Sequence, residues 1–285
     1  VGIRTPSLAD SPELAASPDE DIQIGKKPGF LYTRSGILIV RVLTAVLIFG
    51  SWEWYARGVS RALLVPPSSI IGEAYDMIFI SGDLPHALQV SVSTMLIGLF
   101  LSIAIGIPVG LVMGRFKAVE SVLDPYVLFL YVLPSVAFVP VFVVMVGIDI
   151  KLRLALIIMS AVFPLIINTI AGVKHVDSEF IDGGRAFKAS EWQIMKTILI
   201  PGSLPFIFAG LRIGFSAAWV GAIVAEMTAL ITGVGGLLLS SSSKYRTAEV
   251  FVSIFAIMAV AVTIQWFTAR LEYWLTPWSR AGHEL

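Results

Sequence analysis

Apolar residues run along this chain in long blocks with almost no polar interruption. Residues 87–113, 125–148, 154–173 and 250–269 contain no Asp, Glu, Lys or Arg. Two further blocks, 36–56 and 204–225, are nearly as apolar but carry charges: Arg41 and Glu53 in the first, Arg212 in the second. A helix of about 20 apolar residues crosses a bilayer. A helix of a soluble core would show a polar face every turn, and these blocks do not. The pattern predicts an all-α, polytopic membrane protein with six transmembrane helices over residues 35–280. Pro134 and Pro140 remove backbone donors inside the third block and predict a bent helix there, and Pro108 and Pro164 predict kinks in its neighbours. Gly98, Ser102, Gly106 and Gly110 recur every four residues in the second block, which predicts a face for close helix packing.

Polarity returns in one long stretch, about 174–201, between the fourth and fifth blocks. Two short helices are expected. Asp177 or Ser178 caps the first, with Glu179 and Asp182 near its positive end. Phe180, Gly184 and Phe187 share one face. Ser190 and Gln193 have the spacing of a capping box. The second helix carries Trp192, Met195 and Leu199 and is expected to end at Pro201. Gly183 and Gly184 cost a helix about 1 kcal/mol each against alanine, a cost that makes sense where another surface must approach closely. Such an element is suited to being gripped by a soluble partner.

Two other segments break the apolar pattern. Pro66-Pro-Ser68 followed by Ile70, Ile71, Ala74, Met77 and Ile78 predicts a short interfacial helix with Ser68 or Ser69 as cap. It is either part of a docking surface or a connector lying on the bilayer. Residues 228–248 are apolar but short and glycine-rich, and form either a re-entrant or a surface segment. Residues 1–34 are rich in Pro, Ser, Ala and acids without apolar period and are expected to form a disordered cytoplasmic tail, with a short C-terminal tail at 281–285. No basic start and short apolar core of a cleavable signal opens the chain.

Composition adds mostly exclusions. The chain is 56% hydrophobic and 14% charged, with no net charge, so nothing favours nucleic acid. It contains no cysteine, and His86, His175 and His283 are scattered. No catalytic constellation, metal-ligand spacing or phosphate-cradling loop is present in the sequence, so no catalytic, cofactor or metal residue is assigned. Basic residues orient the spans. Lys26, Lys27, Arg34, Arg115, Lys117, Lys174, Arg185, Lys188, Lys196, Arg270 and Arg280 fall on one side, and outnumber Arg57, Arg61, Lys151, Arg153, Lys244 and Arg246 on the other. The richer side is expected to be cytoplasmic, with both termini and the 174–201 stretch.

Asp182-Gly-Gly-Arg-Ala-Phe-Lys-Ala-Ser190, followed by Ile198-Leu-Ile-Pro201, resembles the "EAA" loop of ATP-binding-cassette importer permeases. Leu204-Pro-Phe-Ile207, Gly210-Leu-Arg-Ile213, Leu123-Asp-Pro-Tyr126 and Pro66-Pro-Ser68 resemble the nitrate, sulfonate and taurine branch. The resemblance covers about residues 35–280 and implies a type I importer permease. Its coupling residues would be Phe180, Asp182, Gly183, Gly184, Arg185, Phe187, Lys188 and Ser190. It implies two separate ATPase subunits that hold ATP and Mg, and a periplasmic or lipid-anchored substrate-binding protein. The setting would be the inner (plasma) membrane of a prokaryote. Six spans are few for a complete pathway, so a second copy in a homodimer is expected. The chain departs from the motif where Asp182 replaces Glu, Gly183 and Gly184 replace the alanines, and Lys188 replaces glycine. Lysine tolerates positive φ poorly, so this turn either uses a left-handed residue at a cost or stays helical, with Lys188 facing an acidic partner or lipid phosphate.

Pathway candidates are Pro134, Ser135, Arg212 and Glu226. A charge near the bilayer centre costs about 2.5–3.5 kcal/mol, so Arg212 should face protein or water. It either serves an anion pathway or pins helices together. Glu226 lies about 21 Å further along the same helix, too far to pair with it. The alternative function is a self-contained secondary transporter or channel using Arg212 and Glu226 as its ionisable pair.

Overall fold

The computed structural model describes residues 34–228 and 232–275. The expected tails at 1–34 and 281–285 lie outside the described residues, apart from Arg34. The chain divides into two compact units, one ending at Trp52 and one beginning at Glu53. Helix α1, Arg34–Arg57, passes from the first into the second. The remaining helices of the second unit are α2 (Pro67–Tyr75), α3 (Asp83–Arg115), α4 (Lys117–Val132), α5 (Val139–Val146), α6 (Ile150–His175), α7 (Ser178–Ala186), α8 (Glu191–Ile194), α9 (Ile200–Thr228), α10 (Gly233–Ser243) and α11 (Thr247–Leu275).

Among the described residues, five helices are long and apolar enough to cross a membrane: Gly36–Arg57, Asp83–Arg115, Ile150–His175, Glu191–Thr228 and Thr247–Glu272. The third apolar block is not one straight span. It is the pair α4 and α5, bent by 94°. Pro134 forces Leu133 into extended backbone (ψ 128°), because a residue before proline is pushed out of the α region. A short 3-10 turn, Ser135–Phe138, then leads into α5, with Pro140 in its first turn.

Helix α6 is the centre of the bundle, packed on α3 and α9. Half of its apolar window is buried, against 11% for α11. Lipid tails are as apolar as leucine, so helices associate in a membrane through close packing rather than burial from water. The glycine stripe of α3 supplies that contact. A Cβ on Gly98 would stand 2.5 Å from Ile157 Cγ2, and one on Gly110 2.6 Å from Thr169 Cβ. Ser102 belongs to the same face, is fully buried, and donates to the Gly98 carbonyl at 2.8 Å.

The segment between α1 and α3 is helical as expected, but neither Ser68 nor Ser69 caps it. Pro66 occupies the cap position without a side-chain bond. The Glu53 carboxylate instead accepts from the Ser68 N–H at 3.1 Å and its hydroxyl at 2.8 Å, while binding Arg57. A carboxylate at the positive end of a helix does the work of a cap.

Candidate functional site

The polar stretch after α6 folds back on the ends of α3 and α6. The Asp177 carboxylate accepts from the Glu179 N–H at 3.0 Å and starts α7. The helix ends in a Schellman turn: Lys188 N–H donates to Arg185 O at 2.8 Å, and Ala189 N–H to Gly184 O at 3.0 Å. Lys188 has φ +57°, so of the two readings the left-handed turn is the one that forms. Two carbonyls at the end of α7 need those donors, and only a left-handed residue delivers both.

The capping box forms: Ser190 Oγ accepts from the Gln193 N–H at 3.3 Å, and Gln193 Oε1 accepts from the Ser190 N–H at 2.7 Å. Pro201 does not end this helix. A π-turn over Met195–Leu199 links α8 to α9, and Pro201 sits in the first turn of α9. The wider turn adjusts the hydrogen-bond pattern just ahead of the residue that has no N–H. The second short helix is thus the first part of one helix, Glu191–Thr228.

Ile194, Met195 and Leu199 turn inward and are buried with Leu111 and Val173. Trp192 is exposed instead (71%), as are Phe180 (66%) and Phe187 (90%). A recess of about 370 Å³ beside them is lined by Gly184, Phe187, Lys188, Gln193, Thr197 and Ile198 among others. The two glycines differ. A Cβ on Gly184 would meet Ile198 at 3.1 Å and Ile194 at 3.3 Å, so its close neighbour is its own chain; Gly183 has open space. The Arg115 guanidinium donates to Glu191 Oε2 at 2.6 and 2.9 Å, and Lys174 pairs with Glu120. Arg185 lies 3.4 Å from Asp182 and 3.9 Å from Glu191. Sequence reading missed Arg115, Glu120, Lys174 and Glu191, because each pair joins residues far apart in the chain.

The four pathway candidates fall in three places. Pro134 is exposed at the α4–α5 break. Ser135 lines an open groove of about 390 Å³ with Tyr131, Ser160, Ser216 and Val220. Arg212 pairs with Glu272 of α11, joining two helices. Glu226 is fully buried. Its Oε2 accepts from the Ser91 hydroxyl at 2.8 Å and the Gly235 N–H at 3.0 Å, while Ser91 Oγ accepts from the Val234 N–H at 2.9 Å. Glu226 and Ser91 together satisfy the start of α10. A Cβ on Gly233 would lie 2.3 Å from Glu226 Oε1, which explains the glycines there.

On the unit's other charged recess, Arg61, Glu73, Arg246 and Glu249 lie together with Ser69 and Thr247. Burial, helped by Glu249 and Asp76, pushes the Glu73 carboxyl above its ordinary range.

Residues 106–280 match the family described as "Binding-protein-dependent transport system inner membrane component". The putative aliphatic sulfonates transport permease protein SsuC of Bacillus subtilis is 30% identical over 90% of this chain and 92% of its own length. The taurine transport system permease protein TauC of Escherichia coli is 30% identical over 77% of this chain and 82% of its own. An inward-facing structure of the MetNI methionine ABC transporter matches with a TM-score of 0.61. It covers 68% of this chain and 96% of that one at 15% identity, a likeness of fold. With the α-helical bundle, its broken span and the polar element between α6 and α9, these matches place the chain in the binding-protein-dependent inner membrane component family, as a permease of an ABC importer.

Proposed function

We propose that this chain carries a small oxyanion across a prokaryotic inner membrane, driven by two ABC ATPase subunits that seat on α7 and α8. The observation that carries the reading is the set of exposed aromatics, Phe180, Phe187 and Trp192, on an otherwise polar, doubly capped element. Large exposed apolar groups in a polar rim mark a contact surface. Burying Phe180 and Phe187 against a partner contributes about 1.5–3 kcal/mol each. Asp182 and Arg185 orient the contact by charge, and Ser190 fixes the second helix.

In this reading ATP and Mg belong to the ATPase subunits, and this chain holds no cofactor. A periplasmic or lipid-anchored binding protein supplies the solute. Two copies of the chain form a homodimer among membrane lipids, since six spans and one coupling element per chain leave each copy with half an assembly. Both termini and the α7–α8 element face the cytoplasm. Relatives named for aliphatic sulfonates, taurine and bicarbonate support an anionic solute. The self-contained carrier needs Arg212 and Glu226 as a free ionisable pair. Arg212 is held by Glu272 and Glu226 by α10, which supports the ATP-driven reading instead.

The test is Gly183→Trp, at a position where an added Cβ meets no atom of its own chain. The variant is expected to insert and dimerise, fail to copurify with its ATPase, and lose uptake. Unchanged copurification and uptake reject the proposal.

A further inference from the structure

Arg153 stands in the first turn of α6, where the helix dipole disfavours a cation. Its side chain is half-buried, yet it forms no ion pair among the described residues. By contrast, Arg57 and Arg246 each bind a carboxylate within four residues. The one hydrogen bond of Arg153 is weak: Nη1 donates to Thr232 Oγ1 at 3.4 Å. Its Nε–H is buried and donates to nothing. A buried donor without an acceptor is costly. The guanidinium fork matches an oxyanion, which accepts from paired N–H groups.

That guanidinium lines a recess of about 350 Å³, within the size range of small-molecule sites. Asp83 and His86 of α3 and Thr232, Gly236 and Ser240 of α10 line it too. α6 leads into α7 at its other end, so the recess lies at the end of α6 away from the coupling element. α3, α6 and α10 all begin here, and their partial positive charges favour an anion. The main-chain donors of α10 are spent: Val234 N–H on Ser91 Oγ, Gly235 N–H on Glu226 Oε2, and Gly236 N–H on Thr232 O. The Ser240 hydroxyl is spent on Leu237 O at 3.0 Å. Arg153 therefore remains as the cationic donor, and the exposed His86 ring adds an N–H in either tautomer. Two acids temper this charge without pairing to it. Asp83 is exposed, and Glu226 is buried behind the start of α10, within Coulombic reach of Arg153.

We propose that this recess is the entry site for the transported solute, where Arg153 and His86 receive a sulfonate- or carboxylate-type oxyanion before it passes inward. The proposal rests on the importer reading and deepens it. A cation tempered by nearby acids suits transit: a solute must bind well enough to enter and weakly enough to leave.

The chain has no native cysteine, so Ser240→Cys reports on the recess alone. The variant is assembled with its ATPase and binding protein in phosphatidylcholine liposomes, and labelling of this chain by an anionic or a cationic methanethiosulfonate is followed. The ratio of the two rates cancels the thiolate fraction and reads the local potential. Arg153→Gln is expected to lower that ratio at least about tenfold, since loss of a unit charge moves the two rates in opposite directions. Methanesulfonate is the ligand probe. It is expected to slow labelling at least about fivefold once it exceeds its dissociation constant several times over. Arg153→Gln should abolish that protection, while Arg153→Lys and His86→Ala keep part of it. Uptake by Arg153→Gln should fall at least about tenfold, as for a lost hydrogen bond to a charged group, with ATPase copurification unchanged. No protection in the Ser240→Cys parent, or protection that survives Arg153→Gln, overturns the site and leaves the importer reading standing. Labelling that is blocked in liposomes without methanesulfonate and released in lipid-free detergent places a lipid phosphate in the recess and also overturns it. Should Arg153→Gln fail to assemble, Arg153→Lys and His86→Ala decide: full protection in both overturns the assignment.

Discussion

Replacing Lys188 by glycine should stabilise the protein. Lys188 holds φ +57° in the turn between α7 and α8. The left-handed conformation costs a residue with a Cβ about 1–2 kcal/mol. Glycine avoids that cost but loses more freedom on folding, about 0.4–1 kcal/mol. The difference is a net gain of about 0.5–1 kcal/mol. The Lys188 side chain is exposed, so removing it opens no cavity. Both Schellman hydrogen bonds use main-chain atoms and survive the change. Lys188→Val is the opposing control: a β-branched residue is a true outlier at positive φ and should lose at least about 1 kcal/mol. The assay is the thermal unfolding midpoint of purified protein in detergent at a fixed scan rate, because membrane proteins of this size unfold irreversibly. A lower midpoint for Lys188→Gly, or no loss for Lys188→Val, would refute the strain argument. A higher midpoint with weaker ATPase copurification would show what the lysine is kept for.

Other perturbations test the remaining contacts. Arg212→Lys and Glu272→Gln should each lower the melting midpoint, by about 1 kcal/mol for a half-exposed pair, and the double variant should lose less than their sum; normal melting with abolished uptake would instead make Arg212 a solute contact. Glu226→Ala strands the Ser91 hydroxyl and Gly235 N–H in a buried site and should cost about 1–3 kcal/mol for each group, whereas Glu226→Gln, which keeps an acceptor, should cost visibly less in the same melt. Glu73 favours its neutral form in the folded protein, so its contribution is present below the ordinary carboxylate pKa and lost as pH rises through the raised value. Glu73→Gln should therefore raise the midpoint at neutral pH, with the advantage fading toward about pH 4; an advantage that grows on acidification contradicts the sign.

What the sequence made legible follows from range. The apolar blocks, the glycine stripe of α3, the Asp177 cap and the Ser190 box are all encoded within a few residues, and each is found where the pattern puts it. The break at Leu133-Pro134 was also readable, though not the size of the bend. Lys188 is ambiguous and Pro201 misleading in the sequence for one reason: local preference is set against needs that lie outside the residue. Two end carbonyls require the left-handed turn at Lys188, and a π-turn upstream lets the helix continue through Pro201. Glu53 capping α2, Arg212 meeting Glu272 and Arg115 meeting Glu191 have no sequence signal at all, because their partners are set by packing.

The continuity of α8 with α9 changes what a push on this element would do. The helix Glu191–Thr228 has 38 residues, about 57 Å at 1.5 Å each. A bilayer with its headgroups is about 40–45 Å thick, so the rod is longer than the membrane is deep. Near its middle, Gly210, Gly214 and Gly221 lie against Asn168, Leu165 and Ser160 of α6. Under the proposed coupling, a displacement at Trp192 would be carried along this one helix, past those contacts, to Glu226, where the buried carboxylate binds the start of α10.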